Sequence, residues 1–123
     1  MKATTDGGRI WLALAALSGL AAVGFGAFGA HGVADPKAKD WLATGAHYQL
    51  VHAVAAIAAA LLQAQGRRTL GAAPAFVIGA AIFAGTLYAM ALGGPRILGA
   101  VTPVGGVAMM LGWLLLAIGA LRR

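Results

Sequence analysis

Residues 10–30 read IWLALAALSGLAAVGFGAFGA, a run with no charge and no proline. At about 1.5 Å of rise per residue, such a run crosses a hydrocarbon layer roughly 30 Å thick as one α-helix. Lys2 and Arg9 precede it, and Ala27-Phe28-Gly29 loosely resembles a small-x-small cleavage site. A signal-peptide core needs only about 7–15 apolar residues, however, so the full-length run is read as a retained span.

The rest of the chain follows the same pattern. Of its 123 residues 61% are apolar and 10% charged, against about 25% charged in soluble domains, so the solvent that suits it is lipid. Residues 70–92 make a second long apolar run, with Pro74 near its start where a missing N–H is tolerated, and residues 101–121 make another. The block 44–64 is more polar in its first half, where His47, Gln49 and His52 lie, and wholly apolar from Ala53 to Leu62. The predicted architecture is all-α: a single-domain integral membrane four-helix bundle with spans at about 10–30, 44–64, 70–92 and 101–121. Between the first two spans, Asp35 as cap and Pro36 at the first helical position predict a short interfacial helix over 36–42, anchored by Trp41 and Leu42. Trp11 and Trp41 are expected at opposite membrane–water interfaces. At the fourth span, Thr102-Pro103 repeats the cap-then-proline arrangement, though a helix starting near Ile97 and kinking at Pro103 fits as well.

The net charge is +6. Nucleic-acid binding would cluster basic residues on one face among aromatics; here they flank apolar blocks, so no nucleic-acid partner is expected. With four spans, Lys2, Arg9, Arg67, Arg68, Arg122 and Arg123 share one side, and Lys37, Lys39 and Arg96 the other. The excess of Lys and Arg predicts both termini in the cytoplasm and the chain in the inner membrane. There is no cysteine, which excludes disulfides, thiolate nucleophiles and Cys-ligated metals.

Helices associate in lipid by close approach of small residues. Three stripes have the required spacing: Ser18, Ala22, Gly26 and Ala30; Ala81, Gly85, Ala89 and Gly93; and Gly105, Gly112 and Gly119. They predict tight crossings rather than a wide pore, and one of them could serve a homodimer.

The predicted topology gathers His31, Tyr48, Gln49, His52, Tyr88 and Thr102 at the outer leaflet, with His47 and Arg96 close by. Tyr48, Gln49 and His52 share a face at helical spacing, with Gly45 and Ala56, whereas His47 diverges from His52. Polar groups at membrane depth are expensive and turn toward the bundle. His52 with Gln49 is thus the predicted centre, in contact with the His31 end of the first span. Two readings of this centre stand: a packing knot of interhelical hydrogen bonds, to Tyr88 or to carbonyls around Gly29 and His31, or a site for a proton, small ligand or metal. His31 and His52 are the weak candidates for a metal or haem ligand pair. Asp35 and Asp40 are the only carboxylates nearby. There is no GxSxG, HExxH or P-loop pattern, and the glycines of Gly24-Phe25-Gly26-Ala27-Phe28-Gly29 lie inside a span, so neither enzyme activity nor a cofactor is predicted.

Several ordered motifs together resemble one family. Gly26-Ala27-Phe28-Gly29-Ala30-His31, Thr44-Gly45-x-x-Tyr48-Gln49-x-x-His52, Gly85-Thr86-Leu87-Tyr88, Thr102-Pro103-Val104-Gly105-Gly106 and Gly112-Trp113 are similar to the domain of unknown function 423 family, which includes the transmembrane-protein-256-like proteins. The resemblance covers about residues 10–121 and implies a small all-helical membrane protein with no established activity. It supports His31, Tyr48, Gln49, His52, Tyr88, Thr102 and Pro103, and does not require a histidine at His47. Missing catalytic signatures and minimal loops favour a non-catalytic accessory or assembly factor of a larger membrane complex, with the lipid bilayer and a complex or homo-oligomer as partners. The alternatives are a small-ligand or ion transporter using the His/Tyr/Gln cluster, and a histidine-ligated metal or haem protein. Four short spans leave little room for alternating access within one copy.

Overall fold

The computed structural model describes residues 2–122, with side chains from Gly7 to Arg122. The side chains of Lys2 and Asp6, and Arg123 as a whole, lie outside the described part. Helix α1 spans Lys2–His31, α2 Pro36–Ala64, α3 Ala72–Ala91 and α4 Thr102–Leu121, with a 3₁₀ turn over Arg96–Ala100 before α4. All four α-helices are long and apolar enough to cross a membrane.

Each boundary has a local chemical cause. Asp35 caps α2, its Oδ2 accepting from Ala38 N at 2.9 Å, and Pro36 opens the helix. At the end of α2, Gly66 adopts φ +83° while its N–H bonds Gln63 O at 2.9 Å and Arg67 N–H bonds Leu62 O at 3.0 Å. This paired closure satisfies carbonyls of the last turn, and it needs a residue that tolerates a left-handed backbone. Helix α3 ends in the same way at Gly93, φ +102°, with Gly94 N–H on Ala89 O at 2.7 Å. Pro95 follows, where a helix could not continue.

Two expectations change. The predicted interfacial helix over 36–42 is not a separate element, because α2 runs unbroken for 29 residues from Pro36. The cap signal at Asp35 was sound, but nothing between Leu42 and Thr44 breaks the helix. Thr102, in turn, is not a cap: the capping position is Val101, without a side-chain bond, and the irregular turn precedes it.

The helices pack in chain order, α1 on α2, α2 on α3 and α3 on α4, with a smaller contact of α1 with α3. A core of alanines from α1, α2 and α3, with Phe76 fully buried among them, is flanked by Trp11, Ile57, Leu115 and Leu116. Along α1, Ala15, Ser18 and Ala22 are buried, and a Cβ on Gly26 or Gly29 would meet Ala46 at 3.3 Å or Leu42 at 2.8 Å. The first predicted stripe therefore packs, with Gly29 in place of the exposed Ala30. The α4 stripe packs throughout: Cβ atoms would collide with the α3 backbone at Gly105, with the Phe76 ring at Gly112 and with the Arg68 carbonyl at Gly119.

The α3 stripe is a correction. Ala81, Gly85 and Gly93 are exposed, and nothing lies within 4 Å of a Cβ built on Gly85 or Gly93. The packed face of α3 is instead Phe76, Gly79, Ala80, Ala84 and Leu87. Spacing alone identified a small-residue stripe but not which side of the helix meets a neighbour.

The two glycine classes separate experimentally. Gly105→Ala is expected to cost about 1–3 kcal/mol by overpacking against backbone that cannot move aside, whereas Gly85→Ala should leave the melting temperature in detergent unchanged or slightly raised. A larger loss at Gly85 than at Gly105 would contradict the assignment of faces.

Candidate functional site

The polar site grows from the inner face of α2, where Gly45, Gln49 and His52 are buried at one-turn intervals. A Cβ on Gly45 would lie 2.7 Å from Tyr88 Cε1, so this glycine leaves room for the Tyr88 ring of α3. Phe25 of α1 stacks on the same ring, with centroids 4.1 Å apart and planes 17° from parallel. Held in place by α1 and α2, the Tyr88 hydroxyl donates to Gln49 Oε1 at 2.7 Å.

One turn further along α2, both ring nitrogens of His52 are engaged. Nδ1 lies 2.7 Å from the Tyr48 carbonyl oxygen, which can only accept. Nε2 lies 2.9 Å from Trp113 Nε1 of α4, an indole N–H that can only donate. The two partners dictate the tautomer: the proton sits on Nδ1 and the lone pair on Nε2 receives the indole. Phe76 packs beside both rings, with centroids 5.6 Å from His52 and 4.8 Å from Trp113. The Tyr48 ring is partly exposed and rests against Phe83 at 5.0 Å.

A second polar contact joins α3 to the start of α4. Thr86 Oγ1 and Thr102 Oγ1 are 2.6 Å apart, and carbonyls four residues earlier, Ile82 O for Thr86 and Leu98 O of the 3₁₀ turn for Thr102, lie at 2.9 and 3.2 Å. One hydroxyl donates across the helices and the other to a carbonyl. Ser18 Oγ is buried with no hydrogen-bond partner among the described residues.

The predicted residues divide into three groups. Tyr48, Gln49, His52 and Tyr88 come together; Thr102 belongs to the separate threonine pair; His31 is exposed at the end of α1. The expected contact between His52 and the His31 end does not form. Since Ala53 faces Gly19, while Leu42 faces Gly29, His52 sits level with the middle of α1, roughly 18 Å along the axis from His31. Helix α2 begins at Pro36, eight residues before the predicted span, so residue 52 is near the midpoint of the helix rather than at its outer end. His52 thus lies deeper along the bundle than the end of α1, while Tyr88, bonded to Gln49, stands in the last turn of α3.

The same geometry bears on a metal. Among the described residues no group of three or more His, Asp or Glu side chains gathers. The proposed His31 and His52 pair is separated, and His52 Nε2 is already occupied by an indole. Four participants escaped the sequence reading, namely Trp113, Thr86, Phe25 and Phe76. Trp113 had a readable signal: a tryptophan midway along an apolar span has an N–H that no interfacial water reaches, so it needs an internal acceptor.

The fold and site define a small multi-pass membrane protein whose internal polar groups are turned on one another. A family described as Protein of unknown function (DUF423) matches residues 25–106. A "UPF0382 membrane protein" of Haemophilus influenzae is 36% identical over 116 residues, covering 91% of this chain and 94% of its own. A "UPF0382 inner membrane protein YgdD" of Escherichia coli K12 is 37% identical over 120 residues, 93% and 91% of the two chains, and a Staphylococcus epidermidis "UPF0382 membrane protein" is 36% identical over 118 residues, 93% and 97%. The chain belongs to this family. No solved structure matches it.

Interhelical hydrogen bonds in membranes average about 0.6 kcal/mol and reach about 1.7. A double-mutant cycle of His52→Ala and Trp113→Phe, read by unfolding in micelles, should give a coupling in the upper part of that range. A coupling indistinguishable from zero would mean the contact does not hold the helices.

Proposed function

We propose that the protein is a non-catalytic accessory or assembly factor of a larger membrane complex, lying in the inner membrane with both termini in the cytoplasm. The observation that supports this role best is that the bonded polar atoms of the site are turned on the protein itself. Both nitrogens of His52 are used, the Tyr88 hydroxyl is bonded to Gln49, and Thr86 is bonded to Thr102. A solute pathway or a cofactor site needs polar atoms that face a ligand, whereas these face backbone and side chains of the bundle. The connections are short, with α1 and α2 separated only by residues 32–35, and the outer surface left for interaction is largely apolar, as at Leu20, Val107 and Met110.

The orientation follows from charge. Gly119 packs on the Arg68 backbone, and a cavity joins Gly7 and Gly8 to Gly71 and Ala73, so the α1 start, the α2–α3 turn and the α4 end share one side. Among the described side chains that side carries Arg9, Arg67, Arg68 and Arg122 against Lys37, Lys39 and Arg96 at the other, an excess that supports a cytoplasmic position by the positive-inside rule.

A C-terminal fusion to a phosphatase active only in the periplasm is expected to stay silent; strong activity would reverse the orientation. For the role itself, native gels of mildly solubilised membranes, with subunits identified by mass spectrometry, should show the chain in a stoichiometric assembly with a larger membrane protein. Solute flux in liposomes containing only this protein, or a stoichiometric metal or Soret band in the pure chain, would overturn the reading in favour of a transporter or a metal or haem protein.

A further inference from the structure

At the end of the bundle that holds both termini, a cavity of about 290 Å³ opens between the α2–α3 turn and the last turn of α4. Three of its lining residues are arginines, Arg67 and Arg68 from the turn and Arg122 from the end of α4, with Thr69 at its wall. Asp35 and Asp40, the only acids whose side chains are described, lie at the opposite end, before and in the first turns of α2.

The turn is held in shape by its surroundings. Thr69 is 3% exposed, and the Arg68 carbonyl rests against Gly119, where a Cβ would collide with it. Leu70 and Gly71 follow with φ of +54° and +87°. A left-handed leucine is disfavoured and persists only where neighbouring packing imposes it. Arg67 and Arg68 therefore project from a preformed turn rather than from a loose loop.

We propose that this cavity binds the phosphate group of an anionic phospholipid. Guanidinium groups match phosphate oxygens with paired hydrogen bonds that an ammonium cannot reproduce, and this cavity is lined by arginine, while the lysines with described side chains, Lys37 and Lys39, lie at the other end. Basic pockets between membrane helices at the interface are a recurrent headgroup-binding arrangement. The volume lies at the lower end of small-molecule sites, about 300 Å³, which suits a headgroup and not acyl chains. A lipid is favoured over free phosphate because exposed apolar side chains adjoin the cavity in sequence: Leu61 beside Leu62, and Ile118 and Leu121 around Gly119 and Ala120. Chains from a headgroup seated on the arginines would run along these residues. The site is additional to the accessory role, and micelles offer the same lipid to both ends of the bundle, so the test does not depend on orientation.

The experiment is native mass spectrometry of the full chain released from micelles containing equal amounts of phosphatidylglycerol and phosphatidylcholine. One phosphatidylglycerol per protein should be retained in preference to phosphatidylcholine. Arg68→Gln or Arg122→Gln should lower its occupancy at least about tenfold, as expected for lost charge-assisted bonds. Arg9→Gln removes the same charge at the same end outside the cavity, and at about 0.15 M salt should change occupancy by no more than about twofold. Arg68→Lys keeps the charge and should fall between wild type and Arg68→Gln. Millimolar inorganic phosphate should not displace the lipid. Equal retention of the two lipids, an Arg9 effect as large as that of Arg68, or displacement by inorganic phosphate would each overturn the proposal.

Discussion

The hydrogen bond from the Trp113 indole to His52 Nε2 ties α4, which packs chiefly along α3, directly to α2. Helix α4 lies along α3, and the 2.9 Å contact carries it across to α2. Neither group has water available at this depth, so each needs the other to avoid an unsatisfied polar atom in hydrocarbon. The bond also sets register. With Trp113 fixed, Gly112 falls under the Phe76 ring, and Gly105 and Gly119, seven residues to either side, fall on the α3 backbone and the Arg68 carbonyl. Seven residues are two helical turns, so one stripe of α4 meets three successive layers of its neighbours.

Individual bonds of this kind are weak in lipid, because alternative partners exist in the unassembled helices. Specificity comes from coupling them to shape. Gly45 makes space for the Tyr88 ring, and Gly112 makes space for Phe76, so each aromatic can enter only where a glycine stands opposite. Once Tyr88 is seated, its hydroxyl meets Gln49; once Phe76 is seated, it packs beside both His52 and Trp113. The glycines and the polar residues thus act together.

Much of this was legible in the sequence. Four spans follow from apolar length, the start of α2 from Asp35 and Pro36, and the close approach of α4 from three glycines seven apart. The level of His52 against the middle of α1 was not, because it depends on how α2 slides along α1, which is fixed by contacts such as Gly19 with Ala53 and Gly29 with Leu42. The α3 stripe was misassigned because spacing defines a face but not its partner. The role of Trp113 is hidden because a tryptophan in a membrane helix ordinarily marks the interface. The close fit of Gly45 to Tyr88 and of Phe25 to the same ring depends on how helices lie together, which no single-helix pattern encodes.

The basic end and the polar centre are separate features of one fold, the first meeting the membrane surface and the second closing the interior. The closure rests on a definite chemical state of one imidazole. Nitrogen NMR of the chain labelled at histidine, in bilayers, reads that state directly. The account predicts that His52 carries its proton on Nδ1, that Nε2 shows the shift of a hydrogen-bond acceptor coupled to the Trp113 indole proton, and that added zinc leaves both signals in place. A proton on Nε2, or a His52 signal displaced by zinc, would contradict it.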